Sequence, residues 1–212
     1  MPETAKTLKH RQWDTTLYRL AEPQAGYFTA AQALEAGVLQ VRLAQLHYRG
    51  DIERVTRGVY RLARYPISPL GQYMEAALWP QVRRPDAHGV ISHESALAIY
   101  GLSDASPAKV HLTLPSGLRI RRTAPKHLVL HHAELDPSDE QRVDGVPVTT
   151  PARAIRDAHA NHLGPALIRQ AIADGRRTGH LTLDEADTLE RELLGTRPGR
   201  RGGSAPSRGT AA

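Results

Sequence analysis

Residues Gly26 to Leu62 read GYFTAAQALEAGVLQVRLAQLHYRGDIERVTRGVYRL, a stretch that predicts two helices, a tight turn between them and a small hairpin. Thr29 is a good N-cap for the first helix, and Gly37 suits the left-handed residue that ends it. The second helix runs from about Gln40 to Arg49, where a glycine follows and stops it. These elements together form a helix-turn-helix with a hairpin attached.

The flanking residues complete a small domain. Apolar side chains at helical spacing predict a first helix from about Gln12 to Ala21, and Tyr27-Phe28 predicts a short strand. Residues Ile52 to Val55 and Val59 to Leu62 alternate as two more strands around the turn-prone tip Thr56-Arg57-Gly58. The order helix, strand, helix, helix, strand, strand is typical of a winged helix-turn-helix domain of about 60 residues, with the hairpin as its wing.

A junction containing Pro66 and Pro69 separates this domain from a mixed α/β pattern that ends in helices. We predict an α+β protein: a winged helix-turn-helix domain at 1–66, a mixed α/β domain at 67–195 and a disordered basic tail at 196–212. In the second domain we predict helices at 70–79, 93–100, from 151, at 163–173 and at 183–194, and strands at 110–114, 118–121, 127–131 and 146–148.

Composition limits the classes of function. The chain of 212 residues has no cysteine, which rules out disulfides and thiolate metal sites. It has no apolar run of the roughly 20 residues that a membrane span needs, and no signal segment opens it. We therefore expect a cytoplasmic protein without a membrane partner.

Positive charge is concentrated at the two ends of the chain. The formal net charge is +6. Residues 1–62 contain nine basic and six acidic side chains, residues 63–194 contain 15 and 16, and the remainder contains four arginines and no acid. An excess of arginine at both ends suits a polyanionic partner, although an arginine-rich genome would produce the same bias.

The second helix of the motif carries a candidate DNA-recognition face. If Leu43 and Leu46 point inward, the opposite face centres on Val41, Gln45 and Tyr48, with arginines on its flank. Arginine and glutamine can contact base edges or phosphates, valine can contact a thymine methyl group, and tyrosine can bond to a phosphate. Arginines of the hairpin could reach the backbone or the minor groove. The predicted DNA-binding residues are Thr29, Gln40, Val41, Arg42, Gln45, Tyr48, Arg49, Arg54, Arg57 and Arg61.

The sequence offers no catalytic or metal-binding motif. His93-Glu94 begins like a zinc-protease helix, but Leu97 stands where the second histidine is needed. His131 and His132 are adjacent in a predicted strand and would point to opposite faces. The carboxylates between Glu134 and Asp144 are read as a solvated loop. We therefore predict no catalytic residue, no metal ligand, no cofactor and no enzymatic activity.

Several segments together resemble one family. GYFTAAQALEAGV and RLAQLHYRGDIERVTRGVYRL resemble the N-terminal domain of AbiEi-type antitoxins, and GVISHESALAIYGLSD, KVHLTLPS and VDGVPVTTPARAIRDA resemble the segments that follow it. The resemblance covers about Gly26 to Ala160. One departure is Leu39, which stands where a serine or threonine cap is expected before the recognition helix.

The resemblance implies a function for each domain. It implies a transcriptional repressor and antitoxin of a type IV toxin-antitoxin system, in which a winged helix binds double-stranded DNA at inverted repeats upstream of its own operon. It also implies protection against a nucleotidyltransferase toxin without a stable complex, by a mixed α/β antitoxin domain. The alternatives are a stand-alone winged-helix regulator, a protein-interaction module and, less favoured, a metal-dependent nuclease.

Overall fold

The computed structural model describes residues 15–195 and confirms the predicted α+β class, with two separate β-sheets. Helix α1 occupies residues 15–21 of the described part; the predicted start of this helix at residues 12–14 and the predicted tail at 196–212 lie outside it. The next elements are β1 (Tyr27–Thr29), α2 (Ala30–Glu35), α3 (Gln40–Tyr48), β2 (Ile52–Thr56) and β3 (Val59–Leu62). The order of elements predicted for residues 27–62 is confirmed.

The first half is built on a three-stranded antiparallel sheet in the order β1-β3-β2. Thr29 begins α2 with a capping box, because its hydroxyl accepts the Gln32 backbone N–H and the Gln32 side-chain oxygen accepts the Thr29 N–H. Gly37 has φ +84°, so the left-handed turn that the sequence predicted is present. A small core holds the three helices on this sheet, and it includes Leu17, Phe28, Leu43, Leu46 and Ile52.

The second half contains a mixed five-stranded sheet in the order β6-β5-β4-β8-β7. The pairs β5/β6 and β4/β8 are parallel, whereas β4/β5 and β7/β8 are antiparallel. Its strands are β4 (Val90–Ile91), β5 (Val110–Leu114), β6 (Leu128–His132), β7 (Glu140–Val143) and β8 (Val146–Thr149). Its helices are α4 (Gly71–Leu78), α5 (His93–Tyr100), α6 (Pro151–Ala160), α7 (Pro165–Thr178) and α8 (Leu183–Leu194).

Helices cover this sheet. Helix α4 packs against β4, β5 and β8, whereas α5 packs against β5 and β8. Helix α6 packs on α5. Leu112 of β5 lies beside Gly89 and Pro80, on the α4 side, whereas its neighbour His111 contacts Glu94 of α5. Successive residues of β5 therefore point alternately to the α4 side and to the α5 side of the sheet. Helices α6, α7 and α8 pack on one another beyond α5.

The two halves share a hydrophobic core across the predicted boundary at residue 66. Tyr27 and Val59 of the first sheet are buried in the same cluster as Met74 of α4 and Leu112 of the second sheet. The hydroxyl of Tyr27 lies so close to Gly71 that a Cβ there would be 2.4 Å from it. Apolar contact thus joins the two halves directly.

Three predictions for the second half were wrong in detail. Residues 118–121 form no strand, because β5 and β6 are parallel and residues 115–127 must carry the chain back along the sheet. The carboxylate-rich stretch was read as a loop but contains β7, which pairs with β8 around the turn Asp144-Gly145. Helix α7 extends to Thr178, well beyond the predicted end at 173. The two-residue strand β4 was not predicted.

Candidate nucleic-acid interface

Helix α3 exposes the face that its sequence predicted. Leu43 and Leu46 are each 1% exposed and hold the helix on the core, whereas Val41 is 63% exposed and Tyr48 is 93% exposed. Gln45 is exposed on the same side of the helix. A valine and a tyrosine that are exposed to this extent do not pack in a core of the protein. Their face of the helix is therefore available to a partner.

The N-terminus of α3 has no side-chain cap. Leu39 occupies the cap position with an extended backbone and makes no capping hydrogen bond. Gln40, the first residue of the helix, is exposed. The Leu39 carbonyl accepts the Arg42 N–H, but no side chain caps the N–H groups of Gln40 and Val41, an arrangement that suits a phosphate oxygen.

The arginines of α3 are held in defined positions. The Arg42 guanidinium donates to the side-chain oxygen of Gln45 over 3.3 Å. Arg49 lies 3.2 Å from the Asp51 carboxylate in a partly exposed pair. Because exposed pairs of this kind contribute little to stability, a phosphate can replace the carboxylate at small cost.

The hairpin presents two exposed arginines. Arg54 and Arg57 are both exposed, one on β2 and one at the tip. The strand pairing is irregular between Arg54 and Thr56, and such a bulge turns side chains away from the regular alternation. Gly58 has φ +85°, and a Cβ at this position would lie 2.4 Å from the Val82 side chain, so the tip is packed on the second half of the chain.

Two predicted contact residues lie inside the protein. Thr29 is 0% exposed, and its hydroxyl is used to cap α2. Arg61 is 9% exposed, donates to the Glu53 carboxylate over 2.8 Å and donates to the Tyr65 carbonyl over 3.1 Å. Neither side chain lies on the surface that α3 and the hairpin tip form, so the structure gives both of them a structural role.

A cleft beside the hairpin tip was not predicted. It encloses about 780 Å³ between the hairpin, the segment after α4 and the irregular connection from β5 to β6. The Arg122 guanidinium stacks over the Trp79 ring at 4.1 Å and donates to the Trp79 carbonyl. Burial and the neighbouring Arg83 lower the pKa of Arg122, although an arginine stays protonated at neutral pH. Among the described residues the cleft is lined by no acid and by six arginines: Arg57, Arg83, Arg84, Arg119, Arg121 and Arg122.

This arginine cleft does not show in the charge of the chain when that charge is averaged over long segments. The middle segment is close to neutral overall, but its acids and arginines are distributed to different surfaces by the fold. The signal available in the sequence was local: RR at 83–84 and RIRR at 119–122 each place arginines next to one another.

A second unpredicted feature is a cluster of three histidines, His93, His111 and His131, which lie close enough to hold one metal ion. Burial, together with the neighbouring imidazoles, lowers the pKa of His93 to about 3 and the pKa of His131 to about 4. Burial also lowers the pKa of His111, while the Glu94 carboxylate acts in the opposite direction. The imidazoles of His93 and His131 are therefore neutral at pH 7.

The absence of a metal ligand was predicted from the incomplete zinc-protease motif at His93-Glu94 and from the adjacent pair His131 and His132. His131 and His132 do point apart, as expected for neighbours on a strand, but His131 meets histidines from two other elements. The wide spacing of the three histidines along the chain matches no sequence motif for a metal site. The histidines come together only in the folded protein, where the parallel pairing of β5 and β6 places His111 and His131 on the same face of the sheet.

Part of the chain matches a known protein family. Residues 16–63 match an AbiEi family model. The family is described as "Transcriptional regulator, AbiEi antitoxin", so the resemblance predicted from the sequence is confirmed for the segment that contains α3 and the hairpin. No curated protein matches the chain. Among solved structures, the crystal structure of the RV2827C protein from Mycobacterium tuberculosis is similar, with 14% identity and a TM-score of 0.47 over 86% of this chain and 72% of that one.

The AbiEi match supports a regulator or antitoxin role in general terms, and that family is not one of enzymes. It includes α3, both hairpin strands and Arg57 at the tip. The other arginines of the cleft and the three histidines lie beyond the matched residues. None of the helices in residues 15–195 has the length and hydrophobicity needed to span a bilayer.

Proposed function

We propose that this protein is a winged-helix transcriptional repressor and antitoxin of a type IV toxin-antitoxin system, which binds operator DNA upstream of its own operon. The AbiEi match over residues 16–63 supports this proposal. In this proposal α3 is the recognition helix and the β2-β3 hairpin is the wing, and the order helix, strand, helix, helix, strand, strand from α1 to β3 supports this assignment.

The observation that carries the proposal is the exposed face of α3. Val41, Gln45 and Tyr48 are exposed on a helix whose opposite side is fully buried, and arginines flank them. Such a helix fits the major groove, where glutamine can read adenine and valine can contact a thymine methyl group. The proposed contacts are Gln40, Val41, Arg42, Gln45, Tyr48, Arg49, Arg54 and Arg57.

The arginine cleft extends the proposed contact with phosphates into the second half of the protein. Arg57 belongs to both the hairpin tip and the cleft, so a DNA backbone that meets the wing can continue along the cleft. Six guanidinium groups without a lining acid give a local positive potential that attracts polyanions. Phosphate contacts of this kind fix the register of a protein on DNA but do not read its sequence.

Operator binding can be tested by anisotropy titration of a labelled duplex taken from upstream of the gene, at several salt concentrations. We expect Arg42→Ala, Arg57→Ala and Arg121→Ala each to weaken binding and to reduce the slope of log K against log salt by about 0.9 for each phosphate that the variant no longer neutralises. Arg169→Ala, which removes an exposed arginine of α7, is the matched control and should keep the wild-type slope. Unchanged slopes in all variants would reject the proposed surface.

Base reading by α3 requires a separate comparison of operator and scrambled duplexes. We expect Gln45→Ala to lose about 1–3 kcal/mol of discrimination between the two duplexes, while Arg121→Ala weakens binding to both equally. A wild-type protein that bound neither duplex would instead favour a protein-interaction module.

The antitoxin role is tested by co-expression with a neighbouring nucleotidyltransferase gene. We expect the protein to restore growth of cells that express this toxin, and purification of the two proteins together to yield no stable complex. If operator binding persists while growth is not restored, the protein is a stand-alone regulator and the antitoxin part of the proposal is wrong.

A further inference from the structure

Three histidines from three elements meet on the α5 side of the second sheet. His93 is the first residue of α5, His111 lies on β5 and His131 on β6. Because β5 and β6 are parallel and Thr113 pairs with His131, His111 and His131 share one face of the sheet. Nδ1 of His111 lies 3.0 Å from Nε2 of His131, and the three ligand nitrogens all lie within 4.8 Å of one another.

His93 is held toward the other two rings by an unusual backbone and by hydrogen bonds. Its φ of +54° is in the left-handed region, which costs free energy for a residue with a side chain and is enriched at functional sites. Its ring stacks on that of His131 with centroids 3.6 Å apart, and its Nδ1 lies 2.8 Å from Oγ of Ser92. Thr113 in turn donates its hydroxyl to Ser92.

These contacts resemble the support that metal-binding histidines need. In a histidine that binds a metal ion, the other ring nitrogen usually donates to a carboxylate, a carbonyl or a water, and this contact fixes the orientation of the ring. Nδ1 of His93 faces Ser92, so its Nε2 is the nitrogen available to a ligand. Ser92 occupies the N-cap position of α5 but makes no capping hydrogen bond, because its hydroxyl contacts Thr113 and His93 instead.

Glu94 places a carboxylate oxygen next to one member of the cluster, His111. Its Oε2 lies 3.3 Å from Nδ1 of His111, is buried and has no hydrogen-bond partner among the described residues. Its Oε1 accepts a hydrogen bond from the Asn161 amide at 3.0 Å, which fixes the carboxylate plane. A buried carboxylate oxygen without a donor costs free energy unless a cation or proton compensates it.

We propose that His93, His111, His131 and Glu94 bind one divalent transition-metal ion, with zinc as the best fit. Three imidazole nitrogens and one carboxylate oxygen form a four-ligand set that zinc accepts in tetrahedral geometry. At zinc–nitrogen distances near 2.0 Å, tetrahedral ligand atoms lie about 3.3 Å apart. The His111–His131 pair is already close to that separation, whereas the His93 ring, which stacks on His131, must turn out of this stack to direct its Nε2 at the same ion.

The alternative is a packed stack of neutral imidazoles without an ion. Such a stack explains the contact between the His111 and His131 rings, because one nitrogen can donate to the other. It does not explain the Glu94 oxygen, which faces an imidazole but receives no hydrogen bond from the described part of the chain. A metal ion accounts for both observations at once.

The ligand set also indicates what the ion does. With four protein ligands the site has no open position, which is typical of structural rather than catalytic zinc. Strand β6 is at the edge of the sheet and pairs only with β5 among the described strands. The ion would tie β5 and β6 to the start of α5, and so fix both ends of the connection that carries the cleft residues Arg119, Arg121 and Arg122.

Isothermal titration of the chelator-treated full-length chain with zinc chloride tests the proposal. We expect one ion per chain with a Kd below about 1 µM. His93→Ala and His131→Ala should weaken binding by more than about 100-fold, and Glu94→Gln by about 10- to 100-fold. His132→Ala is the matched control, because this exposed histidine is the neighbour of His131 on the same strand, and it should bind like wild type.

Cobalt substitution tests the ligand geometry on the wild-type protein itself, before any variant is compared. Wild-type protein loaded with Co²⁺ should show the strong visible absorption of a four-coordinate site, and Glu94→Gln should change that spectrum while His132→Ala leaves it unaltered. Absence of stoichiometric zinc binding by wild type, a spectrum of hexa-aqua cobalt, or equally weakened binding in His132→Ala would each overturn the proposal. Because no DNA is present, failure here does not bear on operator binding.

Discussion

At the scale of single residues, burial separates arginines that looked equivalent. Arg57 and Arg61 are four residues apart in one hairpin, and both were predicted to contact DNA. Arg57 is exposed at the tip, whereas Arg61 is buried between Glu53 and the Tyr65 carbonyl. The alternation of a strand decides which side chain turns inward, and the bulge next to the tip shifts that alternation.

Substituting these two arginines should therefore have opposite consequences. We expect Arg61→Met to lower the free energy of unfolding by about 1–2 kcal/mol, since it removes two charge-assisted hydrogen bonds but leaves a half-exposed Glu53. The folded variant should keep wild-type DNA affinity and salt slope. Arg57→Ala should change stability by less than about 0.5 kcal/mol but reduce the slope.

Urea unfolding and salt-dependent titration of both variants measure this contrast. A stable Arg61→Met protein with a reduced salt slope would mean that Arg61 leaves its buried position to contact phosphate. The substitution to methionine keeps most of the volume of the side chain, so the change in stability reports the removed hydrogen bonds rather than a cavity.

At the scale of elements, the sequence predicted what local rules determine. Helix α3 begins where its apolar spacing begins, and helix α8 begins at an apolar pattern with a capping box, because both signals act within a few positions. The same rules failed at residues 118–121, whose alternation looks like a strand. Leu118 is buried there, but the connection between two parallel strands has no neighbour to pair with in the described sheet. Pairing between distant strands also created β4, which is too short to have a pattern.

The cap of α8 should contribute to stability in a pH-dependent way. Thr182 accepts the Glu185 N–H, and its own N–H and hydroxyl donate to the Glu185 carboxylate, which lowers the pKa of Glu185 below its ordinary value of 4.5. A depressed carboxylate pKa stabilises the folded state above the unfolded pKa, and this contribution is lost as the pH falls through the folded pKa. We expect Thr182→Ala to cost about 1 kcal/mol at pH 7.

Glu185→Gln tests the titrating part of the cap. Its difference in unfolding free energy from wild type should be present at pH 7 and should shrink once the pH falls below 4.5, measured by urea unfolding at each pH. Thr182→Ser, which keeps the hydroxyl, should behave like wild type throughout. A difference that stayed constant with pH would show that Glu185 acts through packing and not through its charge.

At the scale of the whole molecule, the fold brings together residues that the charge count along the chain separated. Arginines of the hairpin, of the segment after α4 and of the β5–β6 connection line one cleft, although the second half of the chain is nearly neutral. Helical phasing was enough to predict the exposed face of α3, because a helix is a local structure. The cleft and the histidine cluster depend on sheet register and on the contact between the halves, which no local pattern contains.

The contact between the halves predicts that they unfold together. Val59 of the first sheet is buried in the core that surrounds α4, so Val59→Ala should destabilise both halves by about 2 kcal/mol. In a Trp13→Phe background the remaining tryptophan, Trp79, reports on the second half. We expect its fluorescence and the far-UV circular dichroism to shift by the same amount in urea. An unshifted Trp79 transition would instead make residue 66 the boundary between two independently folding domains.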